Sequence, residues 1–282
     1  MGPESIRRRE TSFEGAGGAR LFRRAWLPAA PVRVLVVVHG FAEHSGRYEA
    51  FGAWFARRGH AVHAYDHRGH GRSQGPRGHV QRFQEYLDDL DRLLQAVRAE
   101  HPELPLFLVG HSMGGLVIVA YLRERRPEVR GAISSGAALA LGERMPRLQV
   151  ALARCLRSVA PRLSLDAGLD PQGLSRDPEV VRRYLEDPLV FRRLTVSLAV
   201  ELHDAARRTA GGGADVAVPL LLLHGEEDPL CPAHGSLSFH RALATPGSAL
   251  RIYPKLRHEI FNEPEAEEVF GDALAWLEAV ET

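Results

Sequence analysis

The stretch "LFLVGHSMGGLVIVAYL", Leu106 to Leu122, decides the fold. An apolar run is broken by a polar Gly-His-Ser step ringed with glycines, and then resumes. "LPLFLV" before the break reads as a buried strand, and "GLVIVAYLRER" after it reads as a helix. The break itself, "GHSMG" (Gly110–Gly114), matches G-x-S-x-G, a sharp strand-to-helix turn. Such a turn strains the serine backbone and lifts its Oγ clear of the sheet. Glycines are required on either side because a Cβ there would strike the neighbouring strand or helix.

Working outward, the same alternation continues along the chain. "VRVLVVVHG" (Val32–Gly40), "HAVHAYDHRG" (His60–Gly69), "GAISSGA" (Gly131–Ala137), "VPLLLLHGEED" (Val218–Asp228) and "SALRIYP" (Ser248–Pro254) read as further strands. Their nearly continuous apolar character predicts burial on both faces, as in parallel sheets. Helical patterns separate them at 47–58, 80–100, 233–243 and 264–280, which predicts a mostly parallel α/β sheet flanked by helices. The segment "TSFEGAGGARLFRRAWLP" adds antiparallel strands at one edge. Between Ala138 and Gly213 the strands vanish and helical patterns take over. Asp177 reads as an N-cap with Pro178 at the first helical position, and Gly211–Gly213 as the hinge back to the sheet. The expected organisation is a core from residues 1–137 and 214–282, with a helical cap insertion at 138–213 over the strand ends.

The 282 residues are 45% hydrophobic and 25% charged, with a formal net charge of +1. That balance gives no basic stripe for nucleic acid. Cys155 and Cys231 are the only cysteines; they lie far apart, without metal-ligand spacing or a disulfide framework. The N-terminus lacks the apolar core of a signal peptide, and no apolar run is long enough to span a bilayer. The expectation is a cytoplasmic protein, peripheral at most to a membrane. Oligomeric state is not readable.

A serine hydroxyl needs a base, and the base needs an orienting acid. In the α/β-hydrolase fold the order along the chain is Ser, then Asp or Glu, then His. Ser112 is followed by Asp228, at the end of "LLLLHGEED", and by His258, in the loop "YPKLRHEIFNE" after the last strand. Glu226 and Glu227 rival Asp228 but come earlier in the turn. The expected oxyanion donors are two backbone N–H groups: Met113, just after the serine, and Phe41, beyond a tight His39-Gly40 turn. No metal or cofactor is required.

With those residues in place, the chain resembles the monoacylglycerol lipase and lysophospholipase-like group of α/β-hydrolases over nearly its whole length. The resemblance rests on "HGFAEHSGRY", "AYDHRGHGRSQG", "GHSMGG", "SRDPEVVRRYLEDPLV" and "LLLLHGEEDPLCP". It implies a Ser-Asp-His triad, a helical cap and release of one fatty acyl chain from glycerol. It also implies that Glu43, Arg47, His111 and Tyr184 form the glycerol pocket. That donor and acceptor set suits a diol leaving group in a dry site. Cys231 falls near the alcohol side and is read as a bystander. Asp66 with Arg68 is read as organising a loop beside the site. Phe41 is bulkier than the small residue common in the group, and its ring would narrow one side of the pocket.

Other readings share these residues. A lysophospholipase or short-chain esterase would use the same triad, as would a cofactor-free haloperoxidase without need of a glycerol pocket. A catalytically silent binding module would tend to lose a triad member. A dehalogenase would need aspartate at position 112. Lastly, "ERMPRLQVALARCLRSVA" aligns Met145, Leu148, Leu152, Cys155, Leu156 and Val159 on one helical face. Glu143 to Arg162 also carries Arg144, Arg147, Arg154, Arg157 and Arg162. A basic amphipathic helix of this kind either buries its apolar face on the core or lies on a lipid surface.

Overall fold

The computed structural model describes residues 6–143 and 146–280, apart from the side chains of Glu143 and Arg147. Two antiparallel strands come first, β1 (Arg7–Glu14) and β2 (Arg20–Leu27). Then follow β3 (Arg33–Val38), α1 (Glu49–Ala56), β4 (His60–Tyr65), α2 (Gln84–Glu100), β5 (Leu106–His111), α3 (Met113–Arg125) and β6 (Gly131–Ser135). The chain next leaves the sheet for α4 (Arg147–Val159), β7 (Ser164–Asp166), α5 (Pro178–Glu186), β8 (Arg193–Thr195) and α6 (Val196–Ala210). It returns through β9 (Leu220–Gly225), α7 (His234–Arg241), β10 (Ala249–Tyr253) and α8 (Ala266–Ala279).

The eight-stranded sheet runs β1-β2-β4-β3-β5-β6-β9-β10. From β4 onward its neighbours are parallel, and β2 joins β4 antiparallel. This is the α/β-hydrolase fold. The two-faced burial that the apolar runs predict is visible within β3. Val34, Val36 and Val38 pack with Leu87, Leu90 and Leu116 on one side. Leu35 and Val37 pack with Phe51, Phe55 and Phe270 on the other. Each such buried side chain contributes on the order of 1.5–3 kcal/mol, so a polar change in β3 would loosen both layers at once.

Two local expectations need correction. The insertion is not wholly helical: Ser164–Asp166 pairs antiparallel with Arg193–Thr195. Three-residue strands this polar leave no alternation to read. Nor does Asp66 pair with Arg68. Asp66 accepts from Ser45 N–H (2.8 Å), Ser45 Oγ–H (2.5 Å) and Arg72 N–H (2.7 Å). Arg68 instead forks onto Asp89, at 2.6 Å through both Nε and Nη2.

Helix α4 departs further from a core-packed helix. Leu148 and Val159 are each 81% exposed, and Leu152 and Cys155 also face solvent. Two of its arginines pair with α6: Arg154 meets Asp204 at 2.7 Å at the surface, and the half-buried Arg157 meets Glu201 at 2.6 Å. Arg144 and Met145 lie outside the described residues. Among the described residues, no helix is long and apolar enough to cross a membrane.

Candidate active site

Ser112 sits between β5 and α3 with φ 54° and ψ −116°, a backbone region that non-glycine residues rarely occupy. Its neighbours explain why the turn holds. A Cβ on Gly114 would stand 2.0 Å from Val38 O, and one on Gly110 would stand 2.5 Å from Gly114 O. The two glycines let the helix start directly against β3 and the sheet. Ser112 N–H donates to Ser135 O (2.9 Å), and Ser112 O accepts from Leu116 N–H (3.1 Å) and Ala138 N–H (3.2 Å). The strain, of order 1–3 kcal/mol, is thus held by backbone bonds on three elements.

Asp228 follows β9 and lies buried. Its Oδ1 accepts from Leu230 N–H and Cys231 N–H, both at 2.8 Å. Its Oδ2 stands 2.7 Å from His258 Nδ1 and 3.2 Å from His224 Nε2. His224 is fixed by Ser236 Oγ and Cys231 O, each at 2.7 Å. Burial alone would raise the Asp228 pKa. His258, His224 and the Cys231 N–H outweigh it and hold this carboxyl well below the usual carboxylate range. Burial likewise works to lower the His258 pKa, but the Asp228 charge and hydrogen bond reverse the sign and raise it. An imidazole held this way by Nδ1 leaves Nε2 free to take a proton. Glu226 and Glu227 are exposed, and neither joins this group.

The loop after β3 shows how a backbone donor is aimed. His67 N–H donates to His39 Nε2 (2.9 Å), so the His39 proton sits on Nδ1 and donates to Gly40 O (2.7 Å). The Gly40 carbonyl and the Phe41 N–H belong to one trans peptide plane and point oppositely. Pinning the carbonyl toward His39 therefore turns the Phe41 N–H the other way. Gly40 N–H is pinned too, by Glu43 Oε1 at 2.6 Å. Among the described residues no acceptor pairs with the Phe41 or Met113 N–H. The left-handed residue of this turn is Ala42 (φ 68°), not Gly40. Glycine at position 40 leaves room for the carboxylate and the elbow, since a Cβ there would lie 2.9 Å from Glu43 Oε1 and 3.1 Å from Ser112 Cβ and would push on both.

Glu43, Arg47, His111 and Tyr184 come together beside the serine, joined by a residue that sequence reasoning missed. Arg47 pairs with Glu259, through Nη2 at 2.7 Å and through Nη1, and reaches Glu43 Oε2 at 3.2 Å. The Arg47 guanidinium lies 4.9 Å from the Tyr184 ring centre, within cation–π range. Burial raises the Glu259 pKa in isolation, but Arg47 holds it well below the usual carboxylate range. Tyr48 Oη–H donates to Glu43 Oε1 at 2.9 Å. His111 is pushed down to about 4 by burial and by His258, whose ring centre lies 4.7 Å away, so it is neutral near pH 7. No spacing signal marks Glu259. It simply follows the histidine in a loop whose conformation the sequence does not reveal.

Glu43, Arg47, His111, Tyr184 and Glu259 all line one cavity of about 580 Å³. Ser112, Met113, Phe41 and His258 share it with Leu141, Leu165, Leu169, Leu194 and Leu202. Much of that apolar wall comes from the insertion, which roofs the strand ends. Phe41 packs edge-on against Phe191 of the insertion, with ring centres 5.4 Å apart. The insertion is tied down beside the histidine as well. His258 N–H donates to Gly173 O (3.3 Å) and Glu259 N–H to Leu174 O (2.7 Å). Glu263 accepts from Arg176 N–H (3.0 Å) and Arg257 N–H (2.8 Å) across the same seam.

Comparison with known proteins agrees with this architecture. Residues 29–265 match the family described as serine aminopeptidase, S33. A monoacylglycerol lipase of Mycolicibacterium smegmatis is 38% identical over 97% of this chain and 98% of its own. The phospholipase YtpA of Bacillus subtilis is 33% identical over 90% of this chain and 98% of its own. Among solved structures, a monoacylglycerol lipase of Paleococcus ferrophilus superposes with a TM-score of 0.83 at 35% identity, covering 92% of this chain and 99% of that one.

Proposed function

The chain belongs to this family of α/β-fold serine hydrolases and is monoacylglycerol lipase-like; from that premise we propose that it cleaves monoacylglycerols to free fatty acid and glycerol through an acyl-enzyme. In this reading Ser112 attacks the ester carbonyl while His258 Nε2 takes its proton. Asp228 fixes the imidazole tautomer and stabilises the imidazolium, and the Phe41 and Met113 N–H groups receive the oxyanion. His258 then returns the proton to the glycerol oxygen, and water repeats the cycle on the acyl-serine.

One observation carries the substrate assignment. Beside Ser112 and His258 the cavity gathers one buried knot of charged and polar side chains, Glu43, Arg47, Glu259, Tyr184 and His111, while Leu141, Leu165, Leu169, Leu194 and Leu202 line it elsewhere. A leaving group with two hydroxyls can pair with such a knot, and an apolar chain fills the remainder. Two carboxylates there disfavour an anionic headgroup, so a lysophospholipid is the lesser reading. The test is a panel of monoacylglycerols against lysophosphatidylcholine, diacylglycerol and short soluble esters. Monoacylglycerol is expected to lead lysophospholipid by about tenfold or more in kcat/KM, and the reverse order would refute the assignment. A fluorophosphonate should label the wild type and spare Ser112→Ala; an unlabelled wild type would mean a silent hydrolase scaffold.

The same reading places the 138–213 insertion as a cap that meets the lipid surface. The exposed face of Leu148, Leu152 and Val159 supports apolar docking. Arg154 and Arg157 are engaged by Asp204 and Glu201, so headgroup charge contributes less than the basic sequence alone suggests. Vesicle co-sedimentation should then persist in salt and be lost in Leu148→Glu/Leu152→Glu. Unchanged co-sedimentation in that variant would refute docking through α4.

A further inference from the structure

Helix α6 presents Ala199, Leu202 and His203 to the cavity, spaced i, i+3, i+4 on one stripe. Two of the three are apolar, as an acyl wall requires. His203 is not: it is buried, neither Nδ1 nor Nε2 has a hydrogen-bond partner, and as the ring stands both nitrogens are turned away from open space. By contrast His39, His67, His79, His111 and His224 each hold at least one ring hydrogen bond. Leaving a buried donor or acceptor unpaired is costly, so an imidazole with both nitrogens idle on a substrate wall calls for a partner from outside the chain. No bond holds the ring in its present turn. A half-rotation about Cβ–Cγ places the nitrogens where the ring carbons now stand without breaking a hydrogen bond.

We propose that His203 is a specificity residue, and that the cavity takes acyl chains bearing a hydroxyl group, whose oxygen pairs with the His203 ring. The inference rests on the esterase reading above, in which this wall lies along the acyl chain. A hydroxyl both donates and accepts, so it satisfies a neutral imidazole in either tautomer. A keto oxygen could pair only with the protonated nitrogen. A carboxylate-ended chain would bury an anion against a neutral ring that carries no compensating charge. Burial keeps the ring neutral: it lowers the His203 pKa, with Arg207 and Arg154 acting in the same direction against Asp204.

The experiment compares matched monoacylglycerols, stearoyl with 12-hydroxystearoyl and dodecanoyl with 12-hydroxydodecanoyl, on the full chain. In the wild type the hydroxylated member of at least one pair is expected to match or exceed its plain partner in kcat/KM. A purely apolar wall would instead reject it by roughly tenfold or more. His203→Leu should lower that ratio about tenfold, by losing hydroxylated substrate and gaining on the plain chain, while His203→Asn, which keeps a donor and an acceptor, retains part of the preference. A wild-type ratio below about one-tenth in both pairs, or a ratio unmoved by His203→Leu, overturns the inference and leaves the esterase reading standing. A wild type inactive on all four esters overturns the esterase reading and the inference with it.

Discussion

Replacing Asp228 with Asn tests the proposed mechanism at its most constrained point. Oδ1 of Asp228 accepts two backbone N–H groups at 2.8 Å, so an asparagine must keep its carbonyl oxygen there. The amide nitrogen then takes the Oδ2 position, 2.7 Å from His258 Nδ1. An NH₂ group facing Nδ1 needs an acceptor, which moves the imidazole proton to Nε2. That nitrogen, to which the proposed mechanism assigns the serine proton, can then no longer act as a base. The wrong tautomer costs about 10⁴-fold in kcat, or about 5.4 kcal/mol at 1.36 kcal/mol per decade. The substitution also removes the charge that raises the His258 pKa. In the wild type the acid limb of kcat/KM therefore lies above the ordinary imidazole value of about 6.5; in Asp228→Asn the residual activity extends to lower pH. Stopped-flow hydrolysis of a soluble p-nitrophenyl ester from pH 5 to 9 measures both. A loss under tenfold, or an acid limb that does not move, would refute the tautomer argument, and a large loss in exposed Glu227→Gln would reassign the acid.

Ser112→Ala should lower kcat by about 10⁶-fold and keep the fold. Ser112→Gly should be equally inactive yet melt higher than Ser112→Ala, because glycine tolerates the φ 54° backbone; equal melting points would show that the elbow stores no strain. Tyr184→Phe should impair monoacylglycerol cleavage more than p-nitrophenyl ester cleavage. Glu43→Gln should impair both, since Glu43 also holds Gly40 N–H; sparing of the soluble ester by Glu43→Gln would separate Glu43 from the oxyanion loop. Glu259→Gln should destabilise by about 3 kcal/mol at pH 7, because it leaves a buried Arg47 short of its main partner. The depressed Glu259 pKa means that this stabilisation is present above the ordinary carboxylate value of about 4.3 and fades as pH falls. Thermal melts of the two proteins should therefore converge in acid; a constant gap would assign the loss to packing.

The sheet was legible because β3, β5 and β9 are apolar on both faces, and only a covered parallel sheet uses such runs. The elbow was legible because steric demand fixes glycine at 110 and 114. Ser112, Asp228 and His258, picked out by their order, stand at the ends of β5 and β9 and after β10, and all three line or adjoin one cavity. What was illegible depends on loop paths and helix rotation. Glu259 reaches Arg47 across 212 positions, and nothing in either segment announces the pairing. Glu43 reads equally well as a ligand for substrate or as a brace, and only the 2.6 Å contact to Gly40 N–H shows that it braces. Helical periodicity identified the apolar face of α4, but periodicity has no sign: it cannot say whether that face points inward or outward. His203 sits on an amphipathic helix where one more polar residue looks unremarkable until its neighbours are known.

The seam between Gly173–Arg176 and His258–Glu263 bears on how such proteins can be recombined. In that seam the insertion lends backbone carbonyls to the very loop that carries the histidine. A chimera cut at the sheet boundaries, importing another relative's whole roof, would import foreign partners for that loop too. Activity would then vary for reasons unconnected with the new cavity wall. Crossover points inside the roof, with Pro171–Arg176 kept native and α4 exchanged, would separate the two effects. The transferable module is smaller than the insertion.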